Sequence, residues 1–335
     1  MIPIDRRASG PSSGPAVVGL GGGHGLAVTL RALRRVTDRV TAIVGVADDG
    51  GSSGRLRREL GVLPPGDLRM ALAALCGDDG WGRTWSRVIQ HRFGGDGELA
   101  GHSVGNVLIT ALWEETGDIV EGLNWVGALL GAHGRVLPVA EEPLDIVAVV
   151  EGVSQSDPLG TDIVFGQVAV ATTPGRVVSL ALEPPRPVAC PQALEAIRAA
   201  DAIVVGPGSW FTSVLPHLLI DEVAAAFTET TAERILVLNR AAEQGETSGF
   251  RPEMYLEVLH RLLPTIRLDH VLADTTSVHN PEALRSAAAA VGADVVLRHV
   301  GADDNPEAHD PDLLAAALGS LIRRGTQRGS ISPWP

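Results

Sequence analysis

Short, almost wholly apolar runs alternate along this chain with longer segments whose apolar residues recur every three or four positions. Ala16–Leu20 is a short β-branched run, and Gly25–Val36 follows with Leu26, Leu30 and Leu33 on one stripe, which predicts a strand, a tight turn and a helix. Val40–Val46 is nearly continuously apolar, in the manner of a strand covered on both faces. Together these segments predict a βαβ unit with a right-handed crossover.

Beyond it, Ala47–Pro65 reads as a loop, and helical patterns follow at roughly Asp67–Leu75, Arg83–Arg92, His102–Thr116 and Ile119–Ala132. The texture then changes. Arg135–Val139, Asp145–Glu151, Ile163–Thr172 and Arg176–Leu182 are short β-rich runs, and Thr173-Pro174-Gly175 carries a hairpin-turn signal, which predicts a small mixed or antiparallel insert. From Pro191 the βα alternation resumes, with strands at Ala202–Val205, Ile235–Leu238, Val271–Ala273 and Asp294–His299. The expectation is an α/β fold: a Rossmann-like parallel sheet with helices on both faces, and a helical stretch (about 67–132) and a β-rich insert (about 135–182) in the middle. One domain over 16–322 is expected, with tails at 1–15 and 323–335.

Composition narrows the function. Of 335 residues, 45% are apolar and 20% charged, an ordinary globular mix. The net charge of −13 would repel a polyanion over most of the surface, which argues against nucleic acid as a partner. Every basic side chain is Arg, with no Lys anywhere. Side-chain amine chemistry is therefore excluded, including a pyridoxal-phosphate Schiff base and the lysine of a P-loop. Cys76 and Cys190 are too few for a disulfide scaffold, the ten His form no H-E-x-x-H, and no zinc site is expected. With no apolar leader and no run near the roughly 18 residues of a membrane span, the chain reads as cytoplasmic, without membrane insertion.

The candidate chemistry lies in glycine-rich loops. Gly19-Leu20-Gly21-Gly22-Gly23-His24-Gly25 stands between a strand and a helix, where glycines allow close approach and the helix start offers free N–H groups to an anion. It does not complete the G-x-G-x-x-G fingerprint, which weakens a reading as an NAD enzyme. Asp48-Asp49-Gly50-Gly51-Ser52-Ser53-Gly54-Arg55 follows the second strand and offers donors for phosphate and acceptors for a ribose or a hydrated cation. Asp67 stands where a helix N-cap belongs, and Arg69 is a ligand candidate. Gly101-His102-Ser103-Val104-Gly105-Asn106 spells G-x-S-x-G without the preceding strand of a nucleophile elbow, so a helix start facing the ligand fits better than a hydrolase. Gly206-Pro207-Gly208-Ser209 again joins a strand to a helix, with Trp210 and Phe211 free to stack on a base or pack in the core. Asn239 ends the next strand and precedes the polar loop Gln244–Phe250.

GGGHGL at Gly21–Leu26, ADDGGSSGRLRRELGVLPPGDLR at Ala47–Arg69, AGHSVGN at Ala100–Asn106, GRVLPV at Gly134–Val139, GPGSWFTS at Gly206–Ser213 and QGETSGF at Gln244–Phe250 resemble the YvcK family of gluconeogenesis factors. The resemblance covers about Val17 to Leu321, and the broader superfamily includes the CofD-type 2-phospho-lactate transferase. It implies a Rossmann-like core that binds UDP-sugars, UDP-N-acetylglucosamine in particular. It also implies a cytoplasmic role in growth on gluconeogenic carbon, cell shape and peptidoglycan supply, without established catalysis. Carried over by position, the phosphate loop is Gly21, Gly22, Gly23, His24 and Gly25, and the acidic loop runs from Asp48 to Arg55. Further contacts fall to Asp67, Arg69, His102, Asn106 and Gly206 to Ser209. Two positions depart from the family pattern: His24 replaces its usual Thr, and Met70 its usual Asn. The resemblance favours a nucleotide-sugar binding regulator acting with cell-wall-synthesis regulators, in a chain that could also form a homo-oligomer. The alternative is a CofD-like phosphotransferase in which Asp48 or Asp49 holds Mg²⁺ and Arg55 or Arg69 steadies the transferred group.

Overall fold

The computed structural model of the protein describes residues 14–154, 157 and 159–328. Its first unit is β1 (Val17–Gly21), α1 (Gly23–Leu33) and β2 (Val40–Val44). Four helices follow as α2 (Gly51–Leu60), α3 (Gly66–Leu75), α4 (Gly80–Gln90) and α5 (Val104–Thr116), and α6 (Ile119–Leu130) leads into β3 (Arg135–Pro138). A lobe of β4 (Asp145–Glu151), β5 (Thr161–Phe165), the short α7 (Gln167–Ala171) and β6 (Arg176–Glu183) comes next. The chain continues through α8 (Pro191–Arg198) and β7 (Ala202–Val205), a π-helical turn (Trp210–Val214), α9 (Leu215–Leu218) and α10 (Asp221–Glu229). It closes with β8 (Glu233–Val237), α11 (Pro252–Leu262), β9 (His270–Asp274), α12 (Pro281–Ala290), β10 (Asp294–Arg298) and α13 (Pro311–Arg328).

Seven strands form one sheet in the order β10-β9-β8-β7-β1-β2-β3, and every pair in it is parallel. Val17 stands opposite both Val40 of β2 and Ala202 of β7, so β1 is an inner strand, and it is buried along its whole length. The chain leaves β1 toward β2 on one side and leaves β7 toward β8 on the other. Right-handed crossovers in opposite directions put their helices on opposite faces. Accordingly α1 packs with α3 and α13 on one face, while α8, α9 and α10 pack together on the other. A single apolar core runs between these layers, from Val17 and Leu30 through Phe211 to Leu318.

Several details differ from the sequence expectation. The loop expected over 47–65 contains α2, whose Ser52, Ser53, Gly54 and Leu56 are buried; its Gly-Ser-Ser-Gly start resembles a turn, but tertiary burial holds it helical. The run at 135–139 does not join the insert: β3 pairs with β2 at the edge of the main sheet. The insert is an antiparallel sheet of order β5-β4-β6, and the run from Ile163 breaks after Phe165 into α7. Thr173-Pro174-Gly175 therefore links a helix to β6 and is no hairpin turn between paired strands. At the carboxyl end, α13 carries the helical backbone to Arg328, past the expected start of a tail at Arg323. Residues 1–13 and 329–335 of the expected tails lie outside the described residues. Among the described residues no helix is long and apolar enough to cross a membrane.

Candidate functional site

In an open parallel sheet the crevice lies beyond the carboxyl ends of two neighbouring strands whose connections run in opposite directions. Here those strands are β1 and β7, and a glycine turn follows each. Gly22 caps α1 in extended conformation with no side chain to accept from the helix start, and Gly23 sits at φ +59°; the Gly23 N–H is taken by Asp67, which leaves the N–H groups that follow as candidate anion donors. The turn after β7 comes against them: a Cβ on Gly25 would lie 2.1 Å from the Pro207 carbonyl oxygen. Only glycine at 25 permits this approach.

Side chains lock the second turn. Asn239, just past β8, accepts from the Gly208 N–H at 2.8 Å and donates to the Gly208 carbonyl at 3.0 Å. Thr29 of α1 donates to the Gly206 carbonyl at 2.9 Å, and Ser209 donates to Glu243. Trp210 and Phe211 are buried, and Trp210 meets Tyr255 edge to face at 5.3 Å, so these rings pack in the core instead of offering a platform to a base. Beneath them Glu246, 3% exposed, accepts from the Phe211 N–H at 3.1 Å through Oε1, while Oε2 has no partner. Burial drives its carboxyl up to about 8, the Phe211 N–H opposing and Glu243 adding to the rise.

A cavity of about 970 Å³ opens between the two turns. One wall is α1, with His24, Ala27, Val28 and Arg31 on a single stripe; the other is the segment 302–311, with Asp304, Glu307 and His309. Gly208, Asn239 and Met70 also line it. Burial pulls the His309 imidazole down to about 4, aided by Arg240, so it is neutral at pH 7 with Nε2 unpartnered.

Next to this cavity lies an acidic corner. Asp67 is the second residue of α3, and the N-cap is Pro65, so the capping role expected of Asp67 is not filled. Its carboxyl instead reaches Gly22, where a Cβ would stand 2.5 Å from Oδ2. Burial pushes it up to about 7 and Asp48 raises it further, against a hydrogen bond from the Gly23 backbone. By exposed area Asp67 keeps an edge toward solvent, although protein hems in its carboxyl. A second, tiny cavity of about 10 Å³ touches Gly22, Asp48, Asp67 and the buried His217. His217, pressed against Gly45, is held near 4 by burial.

The other predicted residues fall behind these two spaces. Asn106 accepts from Arg69 Nε at 2.9 Å and donates to Ser52 at 3.1 Å and Ser53 at 3.4 Å, and Ser52 lies 3.1 Å from His102 Nδ1. All five are buried, so they form a polar brace that holds α2, α3 and α5 together. Burial lowers the pKa of Arg69, with Arg92 adding, and burial and Arg55 lower that of His102. Arg55 donates to the Ala100 carbonyl at 2.7 Å. Asp48 accepts from the Gly50 N–H at 3.0 Å, and Gly51 begins α2 at φ +46°. Asp49 turns away, accepting from the Val168 N–H at 3.0 Å at the start of α7. Thus His24, Gly25, Gly208 and Asn239 share the large cavity, and Gly22, Asp48 and Asp67 the small one. Gly21, Gly23, Gly50, Gly206 and Ser209 shape the turns between.

Sequence reasoning named Glu246 only as part of the polar loop Gln244–Phe250, and passed over Arg31, His217 and the whole segment 302–311. Arg31 alone carried a signal, seven residues after His24 on one face of a helix.

A family model described as 2-phospho-L-lactate transferase CofD matches residues 17–308. The chain belongs to the CofD family. Within that family it lies among the gluconeogenesis-factor (YvcK, UPF0052) proteins. A Mycobacterium leprae protein named "Putative gluconeogenesis factor" is 51% identical to it, over 96% of this chain and 89% of that protein. A "Gluconeogenesis factor" of Listeria innocua is 34% identical over 92% of this chain and 96% of its own length. A crystal structure of a UPF0052 family member from Bacillus halodurans superposes with TM-score 0.81 at 30% identity, covering 92% of this chain and 99% of that one. In this CofD-family chain, the site can seat an anion on α1 and the Gly208 turn while offering acceptors from the facing segment.

Proposed function

We propose that the protein binds a nucleotide sugar of the UDP-N-acetylglucosamine kind in the crevice between β1 and β7 and acts as a cytoplasmic regulator of cell-wall precursor supply and cell shape. The observation that carries this reading is the glycine-rich start of α1, pressed against the Gly206–Ser209 turn and opening at His24 and Gly25 into a cavity of about 970 Å³. Backbone N–H groups at a helix start suit a diphosphate. The volume is of the size that takes a whole nucleotide sugar. Asp304, Glu307 and neutral His309 supply acceptors for the hydroxyl and amide donors such a ligand carries beyond its phosphates. Titration calorimetry with UDP-N-acetylglucosamine tests it. Saturable heat is expected, and no heat up to millimolar ligand would end the proposal.

The pairing of Asp48 with Asp67 favours a second reading, a CofD-type phosphotransferase. Mg²⁺ is commonly held by one or two carboxylates together with substrate phosphates. Asp48 and Asp67, close enough that one raises the other's pKa, fit that donor set beside the α1 start. Among the described residues there is no group of three His, Cys, Asp or Glu that could hold a metal without such help from a substrate. The ion would neutralise charge on a transferred phosphorus-bearing group. Incubation with Mg²⁺, a deazaflavin acceptor and an activated phospholactate donor separates the readings: product supports transfer, and its absence with active donor removes it.

A further inference from the structure

We infer that Arg240, which does not line the cavity, is a positioning residue for it: its guanidinium fixes the segment 301–310 as the far wall and so governs how the part of the ligand beyond the phosphates is held. The inference rests on the nucleotide-sugar reading for its ligand and on the contacts below for its geometry.

Arg240 directly follows Asn239 beyond the end of β8, and the two neighbours serve opposite walls. Asn239 ties the Gly208 turn, as described. Arg240 crosses to the other side, where NH1 donates to the carbonyls of Ala308 at 2.8 Å and Asn305 at 3.2 Å. NH2 donates to Thr276 Oγ1 at 3.3 Å and lies 3.8 Å from Asp274. Its side chain is 7% exposed. The segment makes room for it at Gly301, where a Cβ would fall 2.1 Å from the guanidinium carbon.

The anchor behind Arg240 is rigid. Asp274 is fully buried and accepts from the N–H groups of Thr276 at 2.8 Å and Val300 at 2.7 Å. Burial alone would raise its pKa, yet these bonds and Arg240 hold it down to about 2, so it stays ionised opposite the guanidinium. The exposed middle of the wall, by contrast, has little of its own to hold it. The ends of the segment are tied by the Gly301–His309 bridge, with Ala302 N–H to Ala308 at 3.0 Å and Asp310 N–H to Val300 at 2.9 Å, whereas the exposed residues 303–307 between them have only Ala308 N–H to Asn305 at 3.1 Å and Glu307 N–H to Asn305 Oδ1 at 3.0 Å. Asp303, Asp304, Glu307 and Asp310 also repel one another along it. A planar cation bonding two carbonyls of that segment both closes it and offsets this charge. Lysine, a point donor on a flexible stem, cannot reproduce the fork.

The test compares wild type with R240A, R240K and G301A, reading amide hydrogen exchange at Ala302, Glu307 and Ala308 and affinity for UDP-N-acetylglucosamine and for inorganic pyrophosphate. In R240A and G301A these amides should exchange at least tenfold faster while the Gly208 amide is unchanged. Affinity for the nucleotide sugar should fall at least tenfold, and that for pyrophosphate should stay within twofold. R240K should fall between. Unchanged exchange at the wall overturns the inference, as does equal weakening of both ligands. If wild type binds neither probe, the nucleotide-sugar reading fails, and the exchange data decide the wall on their own. G301A and R240K keep the buried charge, so they report even if R240A does not fold.

Discussion

Glu246→Gln isolates the cost of holding a carboxyl beneath the Gly206–Ser209 turn. In the unfolded chain the group titrates near 4.5, and in the fold only at about 8. Between those values the unfolded state has released a proton that the folded state keeps, so stability falls as pH rises through the interval and levels off above it. At about 1.4 kcal/mol per tenfold change, the interval sets a ceiling of roughly 5 kcal/mol, of which about 4 lies between pH 5 and pH 8. Glutamine retains an acceptor for the Phe211 N–H and carries no titrating proton, so the variant loses this slope. Denaturant unfolding of both proteins at pH 5, 6.5 and 8 reads the difference. The variant should gain on wild type by more than about 1 kcal/mol from pH 5 to pH 8. A constant gap at all three pH values would refute the assignment of a neutral buried Glu246.

Asp67→Asn follows the same sign: its carboxyl rises from 3.8 to about 7, so the variant should gain stability between pH 4 and 7, by at most ~4 kcal/mol and less where its edge meets water. Gly25→Ala drives a Cβ into the Pro207 carbonyl and should cost about 1–3 kcal/mol in denaturant unfolding and abolish UDP-N-acetylglucosamine binding by calorimetry; full binding would mean the two turns part freely. Asn239→Ala strands both backbone groups of Gly208 and should cost about 1–3 kcal/mol in the same assay, with Asn239→Asp intermediate because it still accepts but cannot donate. Asp49→Ala should release α7, costing about 1 kcal/mol and speeding amide exchange over 167–171 alone.

The parallel strands were legible because strands covered on both faces read as unbroken apolar runs, as VTAIV of β2 does. The glycine turns at 21–25 and 206–209 stood out for a related reason, since each joins such a run to a helical stripe. Pairing partners were not legible: nothing local in RVLP of β3 says that it joins β2 and not the lobe that follows it. The glycine and serine start of α2 concealed a helix that the brace around Asn106 and burial of Leu56 hold in place. Asp67 had the sequence position of a cap and found a partner 44 positions away in Gly23. The far wall was silent because its form comes from one arginine more than sixty residues earlier, a contact without any periodic trace.

The location of that wall has a consequence for biosynthesis. Strands β1 and β2 leave the ribosome early, yet the half of the sheet beyond β1 begins only at residue 202 and the closing segment spans 301–310. Until nearly the entire polypeptide has been translated, the crevice has one side only. A guest that binds there can reward only a finished molecule, so premature termination products gain no protection from it, however abundant the metabolite.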